Sequence, residues 1–239
     1  MFELSPGDAL SLLFFVIVWL FYAPLVRRFV PNAINSGLMS LRIAWMRTML
    51  RRDNRIVDSS LLGHVVHSAS FFASTSLIVI GALLSLLSNV EHLQPAVESL
   101  AFVPPIPRVV FELKIVLPLL VLIHGFVSLT WSLRQLNYTI AMIGASPDRR
   151  DVGADLEPLA SAIGRSLSQA LSTFNTGIRA YYFAIGGLAW VMGPLALAVA
   201  AVIIATMLVW RQRFSAAASE FRVALGAMNA AHDRIERGE

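Results

Sequence analysis

The sequence predicts an all-α, polytopic membrane protein with four transmembrane helices. Hydrophobic residues make up 56% of the 239 residues and charged residues only 14%, whereas a soluble domain carries about a quarter charged residues. The charges are also grouped, so that four long stretches contain no Asp, Glu, Lys or Arg. This pattern is typical of a chain that is solvated by lipid in some places and by water in others. It predicts a single membrane domain over 1–239.

The four uncharged stretches define the predicted spans. They contain 18, 32, 19 and 31 residues, in the order Ala9–Val26, Ser59–Val90, Ile115–Leu133 and Ala180–Trp210. A bilayer core requires about 20 helical residues, so each stretch is expected to cross once. The predicted spans cover about 9–27, 59–87, 111–133 and 181–210. Residues 211–239 are predicted to form a helical C-terminal tail.

The distribution of basic residues predicts the orientation. Twelve Lys and Arg residues lie in the two connections that follow spans one and three, and only Arg108 and Lys114 lie between spans two and three. The positive-inside rule places the two basic connections on the cytoplasmic side of an inner membrane. Four spans then place both termini outside. The five arginines of the tail count against this arrangement, which leaves twelve basic residues inside and seven outside.

Two further helical features are expected between the spans. Ser36 to Arg55 has the pattern of a basic amphipathic helix lying at the membrane interface. The turn sequence Ala145–Gly153, followed by apolar residues at helical spacing, predicts a cytoplasmic helical hairpin. A set of interfacial arginines is a candidate contact for anionic lipid or a partner, or else an ion-pair and capping network with Asp58: Arg47, Arg51, Arg52 and Arg55.

Ionisable residues within a membrane are costly and are therefore candidates for function. Here the predicted ones are His64, His67 and His124. Span two also carries a polar face: Ser60, His64, His67, Ser68, Ser74 and Thr75. These groups could hydrogen-bond between helices, line a water-filled path or proton relay, or bind haem b or a metal through imidazoles. No cofactor is expected, and Lys114 is expected to extend to water at the outer end of span three.

Two patterns predict association. Small residues in span four are predicted to share one face that allows close helix packing: Ala189, Gly193, Ala196 and Ala200. Apolar residues of the tail follow a heptad seam that includes Phe214, Phe221, Leu225 and Met228. Together they predict a homo-oligomer or docking onto another membrane complex.

No motif for phosphate binding, a nucleophile or a zinc protease occurs in the sequence. The small-residue face and the tail seam make a non-enzymatic accessory or self-associating subunit the first hypothesis. A small channel or carrier along span two, and a haem-binding electron-transfer protein, are the alternatives. The net positive charge of the chain arises from arginines that set its topology, so nucleic acid is not an expected partner.

Two short segments carry a family resemblance. They are Arg51–Asp58, with the sequence RRDNRIVD, and Ser70–Thr75, with the sequence SFFAST. Both segments, and the order of spans and loops, resemble the bacterial membrane proteins grouped as the domain of unknown function 599 family. The resemblance covers most of the chain and implies a helical membrane protein. It assigns no catalytic or binding residue.

Overall fold

The computed structural model describes residues 4–29, 34–100, 105–147 and 156–214, together with residues 223, 226 and 227. Within these residues the regular structure is entirely helical. In chain order the helices are α1 (Pro6–Phe29), α2 (Ile34–Leu50), α3 (Ile56–Ser88), α4 (Val90–Glu98), α5 (Arg108–Gly144), α6 (Glu157–Leu188) and α7 (Pro194–Phe214), with a short 3₁₀ turn at Ala189–Met192 between the last two. The predicted all-α fold class is confirmed.

Four helices are long and apolar enough to cross a membrane. They are Pro6–Val26, Ile56–Ser88, Arg108–Gly144 and Pro194–Gln212. The first and third contain the uncharged runs that predicted them, and the second covers its run up to Ser88. The third extends well beyond its run at both ends, because a helix can continue into water beyond the bilayer. The expected multi-pass membrane architecture is therefore confirmed.

The segment predicted as a fourth span, 181–210, is divided in the structure. α6 ends at Leu188, the 3₁₀ turn follows, and Gly193 has a φ of +122°. Only glycine adopts that conformation without strain, and Pro194 then begins α7 at the first helical position, where a missing N–H costs nothing. The long uncharged run is therefore a reversal of the chain rather than one rod. Sequence periodicity treated Gly193 as a packing residue, but the structure places it at the turn.

α7 returns antiparallel to α6 and runs parallel to α1. Gly7 and Pro194 lie together at the start of this parallel pair, and Gln212 donates to the Tyr22 hydroxyl at its other end. The start of α1 and the end of α7 consequently lie at opposite ends of the bundle. The prediction that both termini share one side assumed a single crossing between residues 181 and 210. The side of the membrane on which each terminus lies stays a prediction.

α5 and α6 form the centre of the bundle. The two helices approach closely at Gly125 and Gly177, where a Cβ added to Gly177 would lie 2.5 Å from Leu129 Cγ. Two buried hydroxyls also join them: Ser132 donates to the Ala170 carbonyl at 2.7 Å, and Thr139 bonds to Ser166 at 2.8 Å. Small residues and hydroxyls of this kind allow helices to associate where lipid supplies no hydrophobic driving force.

Two apolar cores lie at opposite ends of this central pair. One core joins α1, α7 and the adjoining parts of α3, α5 and α6, around Phe15, Phe111 and Trp190. We call it the Asp8 end, since Asp8 lies beside it. The other joins α2 to the start of α3, the end of α5 and the start of α6, around Met46 and Leu136, and we call it the Asp58 end.

Candidate functional site

The predicted polar face of span two lies on the outside of the bundle. Ser60, His64, His67 and Ser74 are exposed on α3, and Ser68 and Thr75 are half-buried beside them. The buried residues of α3 occupy the opposite face: Asp58, Leu62, Ala69, Ala73, Ser76 and Leu83. The polar face therefore lies on the outer surface of the part of the chain that the structure describes.

Two hydroxyls of this face bond within their own helix, Ser68 to the His64 carbonyl and Thr75 to the Phe71 carbonyl. The hydroxyl of α3 that links it to another helix is Ser76, which bonds to Tyr181 of α6 at 2.5 Å. Sequence reasoning missed Ser76. Its spacing of three and seven residues from Ala73 and Ala69 would have placed it on the packed face.

The three candidate histidines do not form one group. His124 is exposed on α5, and its ring packs edge-on against Trp19 of α1 with 5.4 Å between centroids. His64 and His67 lie on α3 beside residues of the other core. Within the described residues, no three His, Asp or Glu side chains are grouped as metal ligands.

The interfacial arginines make internal contacts at the Asp58 end. Arg47 pairs with Glu157 at the start of α6 through two hydrogen bonds. Arg55 donates to the Pro147 carbonyl at 2.8 Å, and Arg52 pairs with Asp58 at 2.7 Å. Arg51 is exposed. Arg47 and Arg52 thus form ion pairs and Arg55 bonds to a backbone carbonyl, while lipid contact by this set stays a prediction.

Asp58 is the buried centre of this network, with 1% of its surface exposed. Its Oδ1 accepts from the Trp45 indole N–H at 2.6 Å and from Arg52 at 2.7 Å. Its Oδ2 is buried and makes no hydrogen bond to any residue that the structure describes. Asp58 does not take the predicted N-cap position, because α3 begins at Ile56 with Arg55 as its N-cap residue and Asp58 lies inside the first turn.

A second buried carboxylate lies at the Asp8 end, and sequence reasoning missed it. Asp8 accepts from the Trp190 indole at 2.8 Å and from the Ser5 hydroxyl at 2.6 Å. Lys114 is only 1% exposed, and its Nζ lies 3.7 Å from Asp8 Oδ1. The expectation that Lys114 extends to water is thus wrong, because a counter-charge on α1 lies within reach. The Ser5-Pro6-Gly7-Asp8 sequence, which has a capping-box pattern, was the available signal.

The small residues predicted to form one face are separated by the chain reversal. Ala189 and Gly193 belong to the turn, whereas Ala196 and Ala200 are half-buried on α7. Ala200 packs against α6, where its Cβ lies 3.8 Å from a Cβ position built at Gly186. This part of the predicted association face is therefore used within the chain. For the tail seam, the side chain of Phe214 and the residues Phe221, Leu225 and Met228 lie outside the described residues.

Apolar spanning helices, cores held together by small residues and hydroxyls, and a polar stripe facing outward define a multi-pass helical membrane protein. Comparison with known protein families identifies the family of the chain. The family model described as "Protein of unknown function, DUF599" matches residues 10–217, and the chain belongs to this family. The resemblance found in the sequence is thereby confirmed. No curated protein and no solved structure matches the chain.

Proposed function

We propose that this protein is a non-enzymatic membrane subunit that self-associates, with α3 of one copy packing against α3 of a second copy. The observation that carries the proposal is a polar stripe directed away from the protein's own core. The exposed residues of this stripe are Ser60, His64, His67, Phe71, Ser74 and Ile78. We call these six residues the α3 stripe.

The spacing of the α3 stripe favours a helix as its partner. Successive members are four, three, four, three and four residues apart, which is the heptad spacing of a left-handed helix pair. At 3.6 residues per turn, the stripe lies about half a turn around α3 from the buried residues Ala69 and Ser76. The whole stripe is therefore available to one partner helix.

The chemistry of the stripe favours a second copy of the same chain. Imidazoles directed at lipid are costly, so such groups normally face protein or water. A neutral imidazole has one donor and one acceptor, and a serine hydroxyl offers both as well. A stripe of these groups is complementary to itself across a two-fold axis. His64 and His67 of the two copies can therefore satisfy one another.

Disulfide crosslinking tests this arrangement directly, because the chain contains no cysteine. Ser74→Cys and Ile78→Cys place a thiol on the stripe, and Val79→Cys provides a matched control. Val79 is also exposed, at 38%, and lies about 100° around the helix from Ile78 at nearly the same depth. In native membranes, oxidation should crosslink the two stripe variants into dimers.

The Val79→Cys control should crosslink at least about tenfold less than the stripe variants, since its thiol points away from the two-fold axis. Equal crosslinking at all three positions would indicate random collision, and no crosslinking on the stripe would exclude the α3 pair. Replacing His64 and His67 together by leucine should lower the dimer yield at Ser74→Cys. A change in the yield at Val79→Cys is not expected.

The same structure leads us to propose a topology with α6 as an additional crossing. α6 has 32 residues and is thus about 48 Å long, which exceeds the thickness of a bilayer core. It runs beside α5 and is antiparallel to α7. With the N-terminus outside and the tail in the cytoplasm, every basic residue except Arg108 and Lys114 falls on the cytoplasmic side. Seventeen of the 19 basic residues then lie on the cytoplasmic side, compared with twelve in the four-span arrangement. The positive-inside rule therefore favours the topology with α6 as a crossing.

Labelling with a membrane-impermeant maleimide distinguishes this topology from four crossings. Ser99→Cys probes the connection after α4, and Gly226→Cys probes the tail; both positions are exposed. In intact cells stripped of any outer membrane, Ser99→Cys should react, whereas Gly226→Cys should react only after permeabilisation. Reaction of Gly226→Cys in intact cells would instead support the arrangement in which both termini lie outside.

A further inference from the structure

Two histidines lie next to each other on the α3 stripe. His64 and His67 are three residues apart, so they share one face of the helix, and both are exposed. Among the described residues, neither imidazole takes part in a hydrogen bond or an ion pair, since the bond between His64 and Ser68 uses the backbone carbonyl of His64. Both side chains are therefore available to a ligand or to a partner.

The membrane fixes how two copies of α3 meet in the proposed pair. Copies of one chain insert with the same orientation, so a two-fold axis that relates them runs along the membrane normal and the two α3 helices are parallel. Equivalent residues of a parallel helix pair face each other across the axis. His64 then faces His64 of the second copy, and His67 faces His67.

Heptad spacing places both histidines in the seam between the two helices. Ser60, His64 and His67 are separated by steps of four and three, which assigns the histidines to consecutive a and d positions. At 1.5 Å per residue, these two layers are about 4.5 Å apart along the helix axis. Four imidazoles, two from each copy, are thus brought within about one helical turn of one another.

Four neutral imidazoles around one axis suit a transition metal. Zinc takes four ligands in a tetrahedral arrangement, and imidazole is a preferred ligand of zinc, copper and nickel. Ligands three residues apart on one helix bind metal in helical bundles. Within one chain, the described residues contain no group of three or more side chains that could hold a metal. A metal site at this position is therefore incomplete without the second copy.

The depth of the two histidines gives a metal ion access to them. α3 extends from Ile56 to Ser88, and a bilayer core takes up about 20 helical residues. Counted from Ser88, the core ends near Ala69, so both imidazoles lie at its edge. Water and hydrated ions reach this level, whereas a doubly charged ion at the bilayer centre would be costly.

We propose, on the basis of the α3 pair, that His64 and His67 of two copies together bind one divalent transition metal ion of the kind that prefers imidazole, such as zinc. The metal bridges the two copies, so its binding also stabilises the pair by mass action. His124 is not part of this site, because it lies on α5 and its ring packs against Trp19 of α1.

Zinc titration of the full chain tests the site. The chain, without a polyhistidine tag, is stripped of metal by EDTA in mild detergent, and Zn²⁺ is then titrated in competition with a chromophoric chelator. Binding should saturate at about one zinc ion per two chains. Co²⁺ in its place should give the intense visible absorption of a tetrahedral site. Saturation at one ion per chain would place all ligands within a single copy and overturn the bridge.

Substitution of the histidines identifies the ligands. His64→Asn with His67→Asn removes the imidazoles but keeps groups that can hydrogen-bond across the seam, and it should lower zinc affinity by at least about a hundredfold. The matched control is His92→Asn with His124→Asn, which removes two exposed imidazoles from α4 and α5 and should change the affinity by less than about twofold. Equal effects of the two double variants would overturn the proposal.

Crosslinking separates failure of the metal site from failure of the α3 pair. The thiol of Ser74→Cys lies seven residues from His67, about 10 Å along the helix, too far to bind the same ion, and iodine oxidises it without adding a metal. Zinc should raise the dimer yield about threefold or more over EDTA, but not in the His64→Asn and His67→Asn background. Dimers formed equally with zinc and with EDTA would remove the metal and leave the pair in place. No dimer in either condition would remove both.

Discussion

The two ends of the bundle contain the same set of groups in different surroundings. At each end a buried aspartate accepts from a tryptophan indole and lies beside a basic side chain, with Trp190 and Lys114 around Asp8 and Trp45 and Arg52 around Asp58. The difference lies in the cation. Lys114 is 1% exposed, whereas the Arg52 side chain is 43% exposed. One ion pair is closed off from solvent and the other remains open to it.

The carboxylates also differ in how fully they are bonded. Both oxygens of Asp8 accept hydrogen bonds, Oδ1 from Trp190 and Oδ2 from Ser5. Among the described residues, both partners of Asp58 bond to Oδ1, and Oδ2 is buried without a bond. A fully bonded network fixes one arrangement of α1, α5 and the turn before α7, while a partly bonded one can exchange partners. The Asp8 end is thus the structural anchor, and the Asp58 end is the adaptable one.

The largest effect is expected from Asp8→Asn. The amide still accepts from Trp190, but the positive charge of Lys114 is left buried without a counter-charge. Breaking a buried ion pair on one side costs about 3–5 kcal/mol. The free energy of unfolding, measured by denaturant titration in mild detergent, should fall by that amount. A loss below about 1 kcal/mol would show that water reaches Lys114.

The pairing itself is isolated by adding Lys114→Met to Asp8→Asn. The double variant removes both charges and retains an apolar side chain of similar length, so it should recover about half or more of the lost stability. Recovery by Lys114→Met is specific to coupling between the two groups. The same substitution in the wild-type chain should destabilise it, because Asp8 then lacks its cation.

The Asp8 end also shows why part of the fold was not predictable from the sequence. Counting charges located Lys114 at the edge of a span, but only the contact between α1 and α5 shows that Asp8 neutralises it. The two residues are more than a hundred positions apart, and no local pattern links them. By contrast, the α5–α6 hairpin followed from helical spacing on either side of a turn sequence, and both helices are present.

The uncharged run Ala180–Trp210 illustrates a second limit. Its 31 residues are too short for two complete crossings, so a single crossing was the simpler reading. The structure joins the first part of the run to the earlier, amphipathic part of α6, whose buried face is made of small and apolar residues and whose Arg165 and Gln169 are exposed. Hydropathy does not identify such a helix because only one of its faces is apolar. The φ of Gly193, which decides the reversal, is equally invisible in a hydropathy profile.

The α3 stripe was predictable as a polar face but not in its direction. Periodicity predicted that His64, His67 and Ser74 share one side of a helix, and all three are exposed on α3. Whether the side faces inward depends on the small residues opposite, Ala69 and Ala73, which pack inside the bundle. In lipid both faces of a helix can be apolar, so the usual rule that polar residues face water gives no direction.

The smallest effect is expected from Asp58→Asn, the counterpart of Asp8→Asn at the open end. Arg52 can turn its partly exposed guanidinium to water, and the amide oxygen still accepts from Trp45, so the free energy of unfolding should fall by about 1 kcal/mol or less. Salt provides a second measurement, because exposed pairs are screened and buried pairs are not. The effect of Asp58→Asn should shrink between about 0.05 M and 1 M salt, while that of Asp8→Asn stays constant. A loss at Asp58 as large as that at Asp8 would mean that Arg52 is held as tightly as Lys114, and the two ends would then be equivalent anchors.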